Sequence, residues 1–183
     1  MPLDHFDLIA PIYARARYRA AERLRAIAVL PVQGRLLDLG GGTGRVAQAL
    51  RQAVDEIVIT DISMGMLRKA PRSTLEPACC SSEDLPFPDN SFERVILVDA
   101  LHHVLDQAAT AREMLRVLKP GGLLVIEEPD IRTFGVKLIA LAEKLLLMRS
   151  HFLPPDQIAS LFPSASPRIV TENSTAWIVV EKV

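Results

Sequence analysis

The sequence holds only two cysteines in 183 residues, and they are neighbours, Cys79 and Cys80. Adjacent cysteines staple no distant segments and make no metal-ligand spacing, so a disulfide scaffold is excluded. Neither sign of charge dominates: 21 Lys plus Arg face 22 Asp plus Glu, for a net charge of -1. A protein that grips nucleic acid across its surface carries a strong basic surplus, so no nucleic-acid partner is expected. Long apolar runs are missing as well. The longest, residues 134–148, is interrupted by Lys137, Glu143 and Lys144, short of the roughly 18 uninterrupted apolar residues that cross a bilayer. The first residues carry Asp4 and Asp7 where a secretory signal would carry Lys or Arg. The expectation is a cytoplasmic protein with no transmembrane segment.

What is present points to a folded core. Hydrophobic residues make up 49% of the chain and charged residues 23%, which excludes a disordered or fibrous polypeptide. The length predicts one domain over 1–183, with no separate substrate module. Arg35–Leu39, Arg94–Val98 and Leu123–Ile126 are continuous apolar runs bounded by turn signals, the pattern of strands buried on both faces. Glu56–Thr60 is a fourth such run, and Pro77–Ser81 a weaker fifth. Helices are predicted over 44–53, 64–70 and 107–118, the last halted by Lys119-Pro120-Gly121-Gly122. Strands alternating with helices imply a parallel sheet with right-handed crossovers. The end changes character: Arg168–Glu172 and Ala176–Lys182, joined by Asn173-Ser174-Thr175, predict an antiparallel hairpin.

The segment Asp38-Leu39-Gly40-Gly41-Gly42-Thr43-Gly44 follows a strand and opens a helix. Glycines there let the backbone approach a ligand, and the helix start offers free N–H groups to an anion. The dinucleotide pattern G-x-G-x-x-G fails in both registers, with Arg45 in the last place or Thr43 in the second. A nicotinamide dehydrogenase is therefore a distant reading. Asp61 ends the second strand, 19 residues after Gly42, where a carboxylate can accept both hydroxyls of an adenosine ribose. Ser63 is the better cap for the helix that follows.

These segments, together with Glu83-Asp84-Leu85-Pro86-Phe87, Leu101-His102-His103-Val104 and Arg116-Val117-Leu118-Lys119-Pro120-Gly121-Gly122, resemble class I S-adenosylmethionine-dependent methyltransferases. The branch they look most like includes the ubiquinone and menaquinone C-methyltransferases. The resemblance implies a Rossmann-like, seven-stranded, mostly parallel sheet of order 3-2-1-4-5-7-6, with helices on both faces and the C-terminal antiparallel hairpin. It implies S-adenosylmethionine as cofactor, leaving as S-adenosylhomocysteine, and a small, apolar or aromatic methyl acceptor. Gly40, Gly42, Thr43 and Gly44 would wrap the methionine half, and Asp38 would receive its amino group. Asp61 would bind the ribose, with Ile62 and Met66 around the adenine. The family usually has Asp four places before the Leu of Glu-x-Leu-Pro-Phe. Ser81 stands there instead, and its hydroxyl, with the Ser82 N–H, would serve the adenine. Val98 would lie beside the adenosine. Tyr13 resembles a tyrosine that closes such sites, and reads equally as a helix aromatic packed on the core.

The cofactor brings the reactive methyl, so a protein base is needed only where the acceptor must lose a proton. The candidates are Asp99, His102 and His103, and on a helix at most one of the two histidines would face the site. Asp99 with Glu127 and Glu128 could offer hard oxygen ligands to a divalent ion. The surrounding motifs do not resemble those of metal-dependent relatives, so the acids are read as a polar mouth and no metal is expected. Arg15, Arg17, Arg19, Arg23 and Arg25 share one N-terminal helix with Glu22, read as a solvated face. The segment 134–149 is apolar almost all round, which predicts contact with an apolar substrate or a homodimer partner. The N-terminal helix (1–30) and residues 130–166 are left as cover for the acceptor. The alternative from another class is a cofactor-binding accessory subunit without its own turnover.

Overall fold

The computed structural model describes residues 18–145 and 150–183. Tyr13, Arg15 and Arg17 lie outside these residues, as do residues 146–149 of the expected apolar helix. Seven strands form one sheet: β1 (Arg35–Leu39), β2 (Glu56–Asp61), β3 (Glu76–Cys79), β4 (Phe92–Val98), β5 (Leu118–Pro129), β6 (Arg168–Glu172) and β7 (Thr175–Glu181). Their order is β3-β2-β1-β4-β5-β7-β6, as the sequence resemblance implies. The first five strands run parallel, while β7 is antiparallel to both β5 and β6.

The strands are mostly apolar because both faces are covered, with Asp38, Thr60, Arg94, Glu127 and Glu128 as buried polar members. Leu37, Leu39, Val95, Leu97, Leu124 and Ile126 pack on one face against Ala111, Met114 and Val117 of α4 (Gln107–Val117) and Ile158 of α6 (Pro155–Ser160). Leu36, Ile57, Ile59, Ile96, Val98 and Val125 face the other way. They meet Leu24 and Ile27 of α1 (Ala21–Ile27) and Val46, Ala47 and Leu50 of α2 (Arg45–Leu50). Each such fully buried side chain contributes about 1.5–3 kcal/mol relative to exposure. Arg94 crosses the second layer to hold the end of α1, donating from Nε to the Ala28 carbonyl at 2.7 Å and from Nη2 to Val29 at 3.3 Å.

Three local expectations are corrected. The helix expected over 64–70 is α3, Met64–Leu67. Lys69 and Ala70 bond back to Met66 and Leu67, three residues away, and Pro71 follows, so the last turn tightens and stops. The fifth strand is Glu76–Cys79, ending short of Ser81. It pairs with β2 alone, the edge place a strand containing Pro77 requires. Lys119-Pro120-Gly121-Gly122 is not a free turn. The backbone pairs Phe92 with Leu118 and then Arg94 with Leu123, so the four residues form a bulge inside β5. Gly121 takes φ +74° there, and its N–H donates to the Lys182 carbonyl at 2.7 Å. The Lys182 ammonium also donates to the carbonyls of Leu115 and Leu118, each at 2.7 Å, capping the end of α4 from the C-terminal hairpin.

The expected apolar helix is α5, Phe134–Leu145. Among its described residues only Val136 is buried. Phe134, Leu138, Leu141 and Leu145 are exposed, Phe134 at 76% and Leu145 at 75%. No helix among the described residues is long and apolar enough to cross a membrane.

Candidate functional site

Strand order reverses at β1, which has β2 on one side and β4 on the other. Crossovers leave in opposite directions there, so the carboxyl ends of these strands open a crevice, the usual ligand place of an open parallel sheet. A cavity of about 470 Å³ occupies it. Its floor is the glycine loop. Gly40 and Gly42 hold φ of +69° and +56°, a backbone region costly for other residues. A Cβ on Gly40 would lie 2.8 Å from the Ala100 Cβ, closing the gap between the loop and the end of β4. On Gly42 it would meet nothing closer than Asp61 Oδ2 at 3.7 Å, so the room it would take belongs to the cavity.

Asp38 stands at the end of β1, fully buried, on the cavity wall. Its Oδ2 has no hydrogen-bond partner. Burial pushes its carboxyl up to about 7, against the Ala47 N–H and the Arg45 charge, which pull it down. A buried acceptor without a partner is costly unless a donor meets it. Asp61, at the end of β2, ties two backbones together. Its Oδ2 accepts from the Gly42 N–H at 3.0 Å and its Oδ1 from the Ser63 N–H at 2.7 Å. Ser63 caps α3, accepting from the Met66 N–H at 3.2 Å.

Thr43, Ile62, Met66, Ser81, Ser82 and Val98 also line the cavity. Ser81 donates to Glu83, whose carboxyl is held below the usual range by the Ser81 and Asp106 donors despite burial, which acts the other way. Gly44 does not line it: it caps α2 in the left-handed region with Leu75 against it. Arg45, Cys80, Leu105 and Asp106 reach the cavity without having been read as site residues in the sequence. They carry no composition signal; their position follows from the loops they sit in.

Asp99 follows β4 in the left-handed region, φ +55°. Its N–H donates to the Glu127 carbonyl at 2.8 Å, and Oδ2 lies 3.7 Å from the Arg45 guanidinium. Burial of the group raises its carboxyl above the ordinary range, with Arg45 and His102 opposing. His102 and His103 close the turn Leu101–His103, their rings tilted 50° to each other with centroids 4.0 Å apart. His103 lines the cavity; its imidazole is pushed down to about 3 by burial and by His102 beside it, and is neutral at pH 7. His102 is buried instead, with Nδ1 2.6 Å from Glu128 Oε2. Burial lowers its pKa and the Glu128 carboxylate raises it, with a net rise.

Glu127 and Glu128 are successive residues of β5, so they point to opposite faces. Glu128 Oε1 accepts from the N–H groups of Ala100 and Leu101 at 2.9 and 2.7 Å, holding the turn after β4. Glu127 accepts from the Tyr18 hydroxyl and, at 3.0 Å, from Trp177 Nε1. Burial raises its carboxyl. A second cavity of about 230 Å³, bounded by Tyr18, Arg45, Asp99 and Glu127, adjoins the first through Arg45, Val98 and Asp99.

The family described as "Methyltransferase domain" matches residues 37–126. The ubiquinone/menaquinone biosynthesis C-methyltransferase of Stenotrophomonas maltophilia is 39% identical over 130 residues, covering 64% of this chain and 51% of that protein. The demethylmenaquinone methyltransferase of Renibacterium salmoninarum is 37% identical over 140 residues, covering 71% of this chain and 59% of its own. The chain thus spans about half the length of the curated relatives it matches. Among solved structures, the methyltransferase bound to the Trm112 methyltransferase activator of Haloferax volcanii superposes with TM-score 0.80 at 19% identity, covering 99% of both chains.

Proposed function

Because the chain carries a class I S-adenosylmethionine-dependent methyltransferase domain, we propose that it methylates a small apolar or aromatic molecule bound beside that cofactor. The observation that carries this reading is the Asp38 carboxylate oxygen, buried without a partner on the wall of the cavity at the strand switch point. The ammonium of the cofactor's methionine half supplies the donor such an oxygen lacks. The glycine loop, with Gly40, Gly42 and Thr43, would hold that half, and Gly44 would set the start of α2 behind it. Asp61 would take the ribose, and its bonds to Gly42 and Ser63 already fix its orientation. Ile62 and Met66 would bracket the adenine, with Ser81, Ser82 and Val98 around it. Tyr13 would close the site from the N-terminal side.

When bound, the cofactor supplies an electrophilic sulfonium methyl. The chain's own part is to hold the acceptor in line and exclude water. Asp99, where the two cavities meet, and His103, on the larger one, would take a proton from an acceptor that must lose one. The apolar stripe of Phe134, Leu138, Leu141 and Leu145 supports contact with an apolar acceptor or a second copy of the chain.

Thermal shift with S-adenosylhomocysteine, S-adenosylmethionine and NADH tests the cofactor: the first two raise the melting temperature and NADH does not. If neither methionine-derived ligand stabilises the protein at saturation, the reading fails. Methyl transfer to quinol-like and phenolic acceptors, with Asp61→Ala as control, then tests turnover. Cofactor binding without transfer to any acceptor would point to the accessory-subunit alternative.

A further inference from the structure

The helix α5 is an unusual wall. Only Val136, near its start, is buried, yet near its far end Glu143 turns a carboxylate oxygen into the protein. That Oε2 is fully buried and has no hydrogen-bond partner. In the turn after β4, His102 and His103 lie with ring centroids 4.0 Å apart. One ligand atom each of His102, His103 and Glu143 lies within 4.8 Å of the other two.

We propose that His102, His103 and Glu143 bind one divalent transition-metal ion of the zinc type, clipping α5 to the turn after β4. The chemistry of the donors selects the ion: two imidazoles and one carboxylate suit zinc, cobalt or nickel, and do not suit magnesium or calcium. His102 is already prepared as a ligand. Its Nδ1 is held by Glu128 at 2.6 Å, which leaves Nε2 as its ligand atom, and Phe152 stacks on the ring at 4.2 Å and 12° to fix its plane. A carboxylate–histidine pair of this kind orients and strengthens a metal-ligating imidazole. His103 has Ser150 Oγ 3.4 Å from its Nδ1, a second support for ring orientation. Ligand atoms around a tetrahedral ion at zinc distances stand about 3.4 Å apart, so the three close by about an ångström on binding. Three protein ligands leave a fourth position for water or a ligand group. His103 also lines the larger cavity, so that position borders the proposed acceptor side. Of the acids Asp99, Glu127 and Glu128, Glu128 is spent on Ala100, Leu101 and His102.

The test needs neither cofactor nor acceptor, so its outcome is separate from that of the methyl-transfer reading. The metal-free protein is titrated with Zn²⁺ by calorimetry, and the metal retained after desalting is counted by mass spectrometry. One ion per chain is expected, with affinity weakened at least about ten-fold in Glu143→Gln and His103→Ala. Glu128→Gln, which keeps an oxygen for the Ala100 and Leu101 N–H groups and replaces the carboxylate beside His102, weakens it about 10–100-fold. Zn²⁺ should raise the melting temperature of the native protein more than that of Glu143→Gln, a variant that retains the fold because its oxygen bonds nothing now. Absence of binding at micromolar Zn²⁺ overturns the proposal. So does binding that survives both Glu143→Gln and His103→Ala, or that Cys79→Ser with Cys80→Ser abolishes.

Discussion

Replacing Asp38 by Asn separates stability from ligand binding at one atom. The carboxyl is fully buried, its Oδ2 has no partner, and burial raises it from 3.8 to about 7. Between those values the folded protein keeps a proton that the unfolded chain has released. The unfolded state therefore binds fewer protons, and stability falls as pH rises through this window. Below about pH 4 both states are protonated and the penalty vanishes; above pH 7 it is fully present. Linkage over three units gives about 4 kcal/mol as a ceiling. The measured cost of a buried group without its partner sets the working figure at about 1–3 kcal/mol. Asn keeps the size and cannot ionise, so the ligand-free variant should gain that amount at pH 8 and about a third of it at pH 5. In a chain of this size each kcal/mol moves the melting temperature by about 2–4 °C.

The same substitution should cost binding. An ammonium held by a buried carboxylate contributes about 1.5–3 kcal/mol, so the dissociation constant for S-adenosylhomocysteine should rise about 10–100-fold. Melting scans of both proteins from pH 5 to 8, with and without S-adenosylhomocysteine, read both effects. If the difference between the two ligand-free proteins does not grow with pH, Asp38 is not held above its ordinary range. If the variant binds the ligand as well as the native protein, Asp38 does not meet it.

Glu128→Ala should destabilise the protein by about 3–5 kcal/mol, since it strips the partner from buried His102 and frees the N–H groups of Ala100 and Leu101; denaturant titration reads this as a lower midpoint with an unchanged slope. Gly40→Ala forces a Cβ to 2.8 Å from that of Ala100 at φ +69°, and should cost about 1–3 kcal/mol together with a weaker thermal shift from S-adenosylhomocysteine. Lys182→Met removes the ammonium from the Leu115 and Leu118 carbonyls; about 1 kcal/mol of stability should go, with faster amide exchange confined to the end of α4 and the bulge of β5.

The sheet was legible because burial on both faces writes itself as apolar runs, and the centres of β1, β2, β4 and β5 are such runs. The hairpin showed through its two β-rich stretches and the Asn173-Ser174-Thr175 joint. Element ends were less legible. The bulge at Lys119–Gly122 exists because Lys182, more than 60 residues away, supplies both a carbonyl to Gly121 and a cap to α4; no local pattern carries that. Within the site, Asp38 was suggested by the family resemblance alone, and its unmet oxygen became visible only when β1 was buried between β2 and β4.

The two acids at the end of β5 mark where sequence reading stopped short of what it already held. Treated as a pair, Glu127 and Glu128 suggested a common ion with Asp99. Strand alternation alone separates them: one must face the side of α1 and Trp177, the other the side of α4 and the turn after β4. Once they are separated, their tasks follow from their neighbours. Glu127 meets two donors, Tyr18 and Trp177, and joins the N-terminal cover to the sheet. Glu128 meets two backbone donors and an imidazole, and so sets how the His102 ring lies against that of His103. The histidine that faces the cavity is thus selected by a carboxylate on the next strand, which never touches the cavity-facing ring. A change at Glu128 should therefore be felt at His103 through the turn that both histidines share.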